Sequence, residues 1–521
     1  MREAGKRLKE NLRVMYFWKT APFPDVRTVS FCRLPASRHA VCLQRGKCGI
    51  ARTFPCTSWR ASKASRNVGP PVSPARTQRR DAQHTIAERG ITIPLPMKNP
   101  RFPVFCLSVL LLCTGISRAQ STDHHTPPDP FDNTFPILSW DLPHWSAASF
   151  SDADHGLASL AQCGFNTAAF VRPQHLAEVE RLHLKCILAA QDFPIPWRKL
   201  SDQQIEATVK RLVDEAHGSP AVAGYFLADE PGEPDFAALG KAVATVKKLA
   251  PGKLAYINLF PDYATLGAPD LSQLGTTSYA DYLEQYVRQV HPQFLSYDNY
   301  RIPYSLDQKK PAIASDYYTN LLEVRRVAME HDLPFWNIVS SNQITPTASV
   351  PSPANLLLQA YTTLASGATG LTWYTYYSPG YAHAPVDKQG YRTATWSYLK
   401  MVNDQVKVLG PLLRPLKSTG VYFTPPQPAP ALPKLPGAWV QTIDCPTPLM
   451  IGEFVAPKGE RYAMVVNLSL TDSAQFKLTP RNAKAPVQQI SPVDGALLSP
   501  EPGNAFSLVA GQGVLLVQKA Q

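Results

Sequence analysis

The sequence predicts an α/β protein: a (β/α)8 TIM barrel followed by a small C-terminal antiparallel β-sandwich. Three observations predict it. Apolar runs of strand length alternate eight times with segments of helical period over ~280 residues, the count and size of a closed parallel barrel. Those runs are continuously apolar rather than alternating, as suits strands covered on both faces. No Gly-rich phosphate turn comes after the first strand, as a doubly wound open sheet would usually show.

The 521 residues carry a net charge of +12, but it is unevenly spread. Residues 1–96 hold 19 Lys/Arg against 5 Asp/Glu, with four cysteines (Cys32, Cys42, Cys48, Cys56) and no sustained period. Such a stretch is expected to bury no core. Its cysteines lack the short paired spacings of a zinc site. Residues 97–119 read as a secretory signal peptide. Met97, Lys98 and Arg101 open a positive n-region, 102–116 form an apolar h-region, and Ser117-Arg118-Ala119 puts small residues where cleavage needs them. The apolar run is too short to span a bilayer. Cys113 comes after Leu112 rather than a small residue, which disfavours a lipoprotein anchor. The expectation is therefore that Met97 is the working start, that 1–96 is a non-native or disordered upstream extension, and that the product is secreted or periplasmic.

Residues 120–521 carry −5. That removes the basic surface that nucleic-acid binding needs. No later run is long and apolar enough for a membrane after signal cleavage. Cys163, Cys186 and Cys445 are too few for a disulfide framework, and the first two sit in apolar contexts as packed thiols.

In chain order, 120–134 is polar and Pro-rich, a flexible lead. The barrel is expected over 135–412, with strands at 135–141, 166–171, 185–191, 222–227, 254–259, 294–300, 334–340 and 370–377. The helices between them are expected at 154–163, 175–184, 201–217, 235–249, 279–290, 316–331, 353–366 and 393–409. Ser201 with Gln204 three residues on is a capping-box start. Residues 413–521 change texture. A Pro-rich linker or edge loop at 425–436 precedes short β-rich runs at 438–443, 449–455, 461–469, 474–478, 487–490, 505–509 and 513–518. That spacing predicts the accessory sandwich.

In a parallel barrel the chemistry sits at the C-terminal strand ends. Here those ends carry Trp140 and Asp141, Arg172, Gln191 and Asp192, Asp229 and Glu230, Asn258, Tyr297 to Tyr300, Asn342 and Gln343, and Trp373 to Tyr377. Most conspicuous is the fourth strand, an apolar run delivering Asp229 and Glu230 before Pro231 stops it. The ring is rich in carboxylates, amides and aromatics. It lacks the His-x-His pair of metal-dependent barrel hydrolases, the Gly-rich turns of phosphate barrels and any strand-end lysine for a Schiff base. Sugar chemistry fits best: two carboxylates across a scissile bond, with amides for hydroxyls and aromatic rings for pyranose faces. Trp336 is mid-strand and reads as core. Trp373 and Tyr374 are adjacent, so only one of them can line the site.

Tyr225-Phe-Leu-Ala-Asp-Glu-Pro231, then Tyr256-Ile-Asn258-Leu and Tyr297-Asp298-Asn-Tyr300, resembles secreted bacterial glycoside-hydrolase-like barrels of the trans-glycosidase superfamily, which includes the β-galactosidase-like families. In the best-known clan the acid/base glutamate ends strand four in an Asn-Glu-Pro motif. Asp229 stands where that Asn would be, and Glu230 matches the glutamate. The clan's nucleophile is a glutamate ending strand seven, but here that strand runs into Ser341-Asn342-Gln343, with no carboxylate. Other clans pair strands four and six, which points to Asp298, with Asp141 as the next choice.

These readings imply an exported glycosidase acting on an oligo- or polysaccharide, with no metal and no organic cofactor. Glu230 is the expected general acid and Asp298 the nucleophile or general base. Asp229, Asp141, Asn258 and Asn299 are expected to hold sugar hydroxyls, and Trp140, Tyr297, Tyr300 and Trp373 to shape subsites. Gln343 marks the alternative, a barrel that binds carbohydrate after losing its nucleophile. A metal-dependent barrel isomerase or lyase is the other alternative.

Overall fold

The computed structural model describes residues 129–140, 156–265, 273–301, 311–377 (side chains from 316), 380–482, 486–502 and 505–519. The extension, the signal segment, most of the lead, and Asp141 lie outside them.

Eight strands form one parallel sheet: β1 (Ile137–Trp140), β2 (Thr167–Val171), β3 (Lys185–Ala189), β4 (Val222–Asp229), β5 (Leu254–Asn258), β6 (Leu295–Asp298), β7 (Phe335–Ser340) and β8 (Gly370–Tyr374). Their order is β5-β4-β3-β2-β1-β8-β7-β6. The N–H of Leu259 donates to Ser296 O at 2.8 Å across the remaining seam, closing the barrel. The strands are buried on both faces because helices wrap the outside: α1 (Leu157–Gln162), α2 (Leu176–Arg181), α3 (Asp202–Asp214), α4 (Phe236–Leu249), α5 (Tyr279–Val290), α6 (Pro311–Glu330), α7 (Pro353–Ala365) and α8 (Ala394–Leu413). The capping box at α3 forms: Ser201 Oγ accepts the Gln204 N–H, and the Gln204 side chain accepts the Ser201 N–H.

Several boundaries differ from the sequence expectation. A 3-10 turn at Pro173–His175 takes the start of the second helix. Strand eight ends at Tyr374 rather than 377, and the last helix runs through Pro411 to Leu413.

The barrel interior is filled, not hollow. Leu138, Trp140, Phe170, Ile187, Phe226, Tyr256, Phe294, Trp336 and Ile338 pack in its lumen. Strand side chains alternate between lumen and helix layer. On β5, β6 and β8 the even-numbered residues face inward, which puts Tyr256 and Asn258, Ser296 and Asp298, and Thr372 and Tyr374 on the lumen side. The odd-numbered ones, among them Ile257, Tyr297 and Trp373, join the outer core.

The β4 strand breaks this rule. Its register against β5 pairs Phe226 with Tyr256 but Ala228 with Ile257 and Asp229 with Asn258. One extra residue, Leu227, is inserted. A bulge of this kind flips the parity of the residues beyond it, so odd-numbered Asp229 arrives on the lumen face beside Asn258. The indole N–H of buried Trp197 donates to Leu227 O at 2.7 Å, which satisfies a carbonyl of the bulge.

Among the described residues the C-terminal domain has nine strands: β9 (Lys417–Phe423), β10 (Val440–Asp444), β11 (Leu449–Val455), β12 (Arg461–Asn467), β13 (Ala474–Pro480), β14 (Gln488–Ile490), β15 (Leu497–Leu498), β16 (Ala505–Leu508) and β17 (Gly513–Gln518). They form antiparallel sheets β10-β13-β16 and β15-β14-β17-β12-β11-β9. Of the two expectations for the Pro-rich stretch, linker or edge loop, the structure shows the second: it folds onto the edge strand β9, which periodicity did not mark. There the N–H of Phe423 donates to Pro433 O at 2.8 Å.

The larger sheet is apolar on both faces. Leu449, Ile451, Val465 and Leu516 meet Trp439, Phe476 and Phe506 of the sandwich core. Met450, Phe454, Met464 and Leu515 join the barrel's outer core. Helix α7 is buried all round between barrel and sandwich, as a helix with two packed faces must be. The approach is close: a Cβ on Gly452 would lie 1.8 Å from Ala365 O, so only glycine fits. Within α7, Gln359 accepts the Ser340 N–H and donates to Ser340 O, both at 2.9 Å. The sandwich thus braces the helix that fixes the end of β7.

Candidate active site

The C-terminal mouth of the barrel gathers a carboxylate from β4 and one from β6 around a single amide. Asn258 Nδ2 donates to Asp229 Oδ1 at 3.2 Å and to Asp298 Oδ1 at 3.0 Å. Two hydrogen bonds on one nitrogen limit those oxygens to a separation of roughly 6 Å. Asn258 and Asp298 are each only 2% exposed. Among the described residues Asn258 Oδ1 has no partner, so the amide retains an acceptor.

Glu230 comes directly after Asp229 at the turn out of β4. Its N–H extends the ladder, donating to Asn258 O at 2.8 Å. Its φ of 49° lies in the left-handed region, uncommon for a residue with a Cβ. The neighbours hold it there: the Tyr282 hydroxyl donates to Pro231 O at 2.8 Å. The left-handed turn sends the chain from a lumen-facing Asp229 directly into the loop that carries Glu230.

Tyrosines line the rest of the mouth. The Tyr300 and Tyr374 rings lie 5.0 Å apart, and the Tyr374 and Tyr381 hydroxyls share a 3.0 Å hydrogen bond. Burial pushes the hydroxyls of Tyr263, Tyr300 and Tyr374 well above the ordinary tyrosine value, and charges from Asp298 and Glu230 (Tyr263, Tyr300) or Asp229 and Glu230 (Tyr374) add to it. All three are protonated donors at neutral pH. Below them an aromatic plug forms the floor, with Trp140 against Phe170 at 4.6 Å and Phe226 at 5.6 Å.

Asp229, Glu230, Asn258, Asp298 and Tyr300 come together. Four expected site residues do not. Trp373 is fully buried on the helix side, its indole N–H donating to Asn403 of α8 at 2.9 Å. Tyr297 is fully buried in the outer core, where burial and the neighbouring Tyr317 and Tyr279 dominate its surroundings. Asn299 braces the backbone: its Nδ2 donates to Asn320 Oδ1 at 2.8 Å and its Oδ1 accepts the Arg301 N–H at 2.9 Å. Gln343 donates to Ala348 O at 2.9 Å, and its own N–H donates to Ala382 O. A fifth, Trp140, faces the lumen but is packed in the floor. The end of β7 is equally committed, since Asn342 Nδ2 donates to Tyr374 O at 2.8 Å.

No protein-family model matches this chain, and no curated protein does. Three solved structures illustrate its likeness. A catalytic mutant of a GH42 β-galactosidase from G. stearothermophilus has 9% identity and a TM-score of 0.49, covering 74% of this chain and 98% of that one. A glycoside hydrolase family 5 protein from Bacteroides vulgatus has 13% identity and a TM-score of 0.45, covering 75% and 94%. A β-galactosidase from the psychrophilic Marinomonas ef1 has 12% identity and a TM-score of 0.42, covering 55% of this chain; the chain spans 62% of that protein's length. All three are named as glycoside hydrolases. Likeness at this level concerns the fold and says nothing of specificity.

Tyr263, Tyr381 and Arg301 also border the site, and strand periodicity does not single them out, because all three lie off the strands. Asp262, beside Tyr263, is a further case. Burial pushes its carboxyl up to about 7, with Asp316 adding to the effect and Arg301 opposing it.

This geometry is open to two direct tests. Replacing Asn258 with Leu removes both hydrogen bonds and leaves two like charges without a donor between them; kcat/KM should fall about 10²-fold with the fold intact by circular dichroism. An unchanged rate would show that the amide does not organise the site. Asp262 binds its proton more tightly folded than unfolded, so it costs stability increasingly as pH rises from about 4 to about 7. The stability of Asp262→Asn relative to wild type should therefore grow across that window and level off above it, measured by urea unfolding at stepped pH. A difference independent of pH would contradict the buried carboxyl.

Proposed function

We propose that this chain is an exported O-glycoside hydrolase working through two carboxylates. The observation that carries the reading is the Asn258 amide hydrogen-bonded to both Asp229 and Asp298 beside Glu230. It places carboxylates from the fourth and sixth strands in one mouth, where a (β/α)8 enzyme keeps its chemistry. Glu230 acts as general acid and gives its proton to the leaving oxygen as the glycosidic C–O bond breaks. Asp298 either attacks the anomeric carbon or takes a proton from the attacking water. Asp229 and Asn258 Oδ1 accept sugar hydroxyls. Tyr263, Tyr300 and Tyr374 donate hydrogen bonds and offer ring faces to the pyranose.

Export through the 97–119 segment belongs to the same proposal. Among the described residues no helix is long and apolar enough to cross a membrane. N-terminal sequencing of the exported product should find a start near residue 120.

The competing reading is a carbohydrate-binding barrel without turnover, favoured by the spent amides Asn342 and Gln343 where a strand-seven carboxylate would stand. A panel of aryl glycosides and polysaccharides separates the two. Wild type should cleave at least one, and Glu230→Gln and Asp298→Asn should each lose ~10³-fold or more in kcat, about 4 kcal/mol of barrier. Glycan binding with no cleavage across the panel, unchanged by either substitution, would favour the binding barrel.

A further inference from the structure

The residue that the proposed chemistry leaves unused is Arg301. It lies three residues past Asp298, at the rim of the mouth. Its backbone is fixed by a chain of buried amides: Asn320 holds Asn299, and Asn299 Oδ1 accepts the Arg301 N–H at 2.9 Å. Its guanidinium lies over the Tyr263 ring, 4.4 Å from the centroid. Tyr263 is the same ring whose hydroxyl feels the charges of Asp298 and Glu230, so Arg301 adjoins the carboxylates without joining them. Among the described residues no carboxylate lies within ion-pair distance of Arg301, and no acceptor takes a hydrogen bond from its guanidinium.

Three other arginines show the structural alternative. Arg325 donates to Ser366 O and Ser418 Oγ. Arg392 also stacks on an aromatic ring, Trp396, yet donates to Ser159 and Gln162. Arg414 is bonded to Asp129. Among the described residues, Arg301 alone of these four keeps its fork of N–H donors unspent, with its guanidinium over the Tyr263 ring. A guanidinium held in this way fits a planar or tripodal anion through paired N–H contacts.

We propose that Arg301 is an anion-binding residue of the substrate site, and that the glycan presented to Glu230 and Asp298 carries a carboxylate or sulfate on the sugar nearest it. This names the substrate class within the glycosidase reading, on which it rests. Asp262 and Asp316 also lie at this corner.

The test compares the exported protein with Arg301→Met and Arg301→Lys on matched pairs: 4-nitrophenyl glucuronide against glucoside, galacturonide against galactoside, and 6-sulfogalactoside against galactoside. Wild type should prefer an anionic member, and the anionic-to-neutral ratio of kcat/KM should fall about 10- to 100-fold in Arg301→Met, with Arg301→Lys between them. A uronide preference assigns a carboxylate and a sulfate preference assigns a sulfate ester. A ratio that favours neutral sugars, or one that the substitution leaves unmoved, overturns the proposal while leaving the glycosidase reading in place. Calorimetric binding of a galacturonate trisaccharide supplies the converse. If nothing is cleaved but that binding is present and lost in Arg301→Met, the anion site stands and the hydrolytic reading fails.

Discussion

Two carboxyl groups held within roughly 6 Å of one another in a partly buried mouth need a donor between them, because like charges repel at that distance. The amide of Asn258 offsets that repulsion by donating to both. Everything else at the mouth is arranged so that this contact can form. The bulge at Leu227 turns Asp229 toward the lumen. Trp197 satisfies the bulge carbonyl. The left-handed turn at Glu230 directly after Asp229 puts a third carboxylate in the loop leaving the pair. A strand four without the extra residue would point Asp229 into the helix layer and leave Asn258 facing Asp298 alone.

The end of strand seven shows the opposite use of polar groups. Ser340 is bracketed by Gln359, Asn342 holds Tyr374 O, and Gln343 holds Ala348 O. These are amides spent on backbone, and they tie β7 to β8 and to the helix pressed between barrel and sandwich. The accessory domain therefore serves the mouth indirectly, by stiffening the side of the barrel that carries no carboxylate. In the proposed mechanism the second carboxylate therefore comes from strand six, where Asp298 is already on the lumen side by strand parity.

Much of this was legible in the sequence. Eight apolar runs alternating with helical periods specified the barrel, because strand burial on both faces leaves a continuous apolar signature. Parity was legible too. Asn258, Asp298 and Tyr374 share the lumen phase of their strands, whereas Tyr297 and Trp373 are one residue out of it and pack outward, so grouping all strand-end residues as site candidates overcounted. Two features left no such mark. The bulge in β4 depends on its pairing with β5, which no local pattern records. Tyr263, Tyr381 and Arg301 come from connecting segments, where no period exists to show which side chains turn inward. The edge strand β9 was hidden for a different reason: its first half is polar and glycine-containing, and prolines flank it on both sides.

The central claim is that Glu230 protonates the departing oxygen. The most direct test is the dependence of kcat/KM on leaving-group acidity, measured with a series of aryl glycosides for wild type and Glu230→Gln. General acid catalysis supplies about 10²- to 10⁴-fold only when the leaving group needs a proton. The account predicts a shallow dependence for wild type and a steep one for the variant, with the two converging at dinitrophenyl leaving groups. Parallel lines, with Glu230→Gln equally slow at every leaving group, would contradict the assignment of Glu230 as the acid.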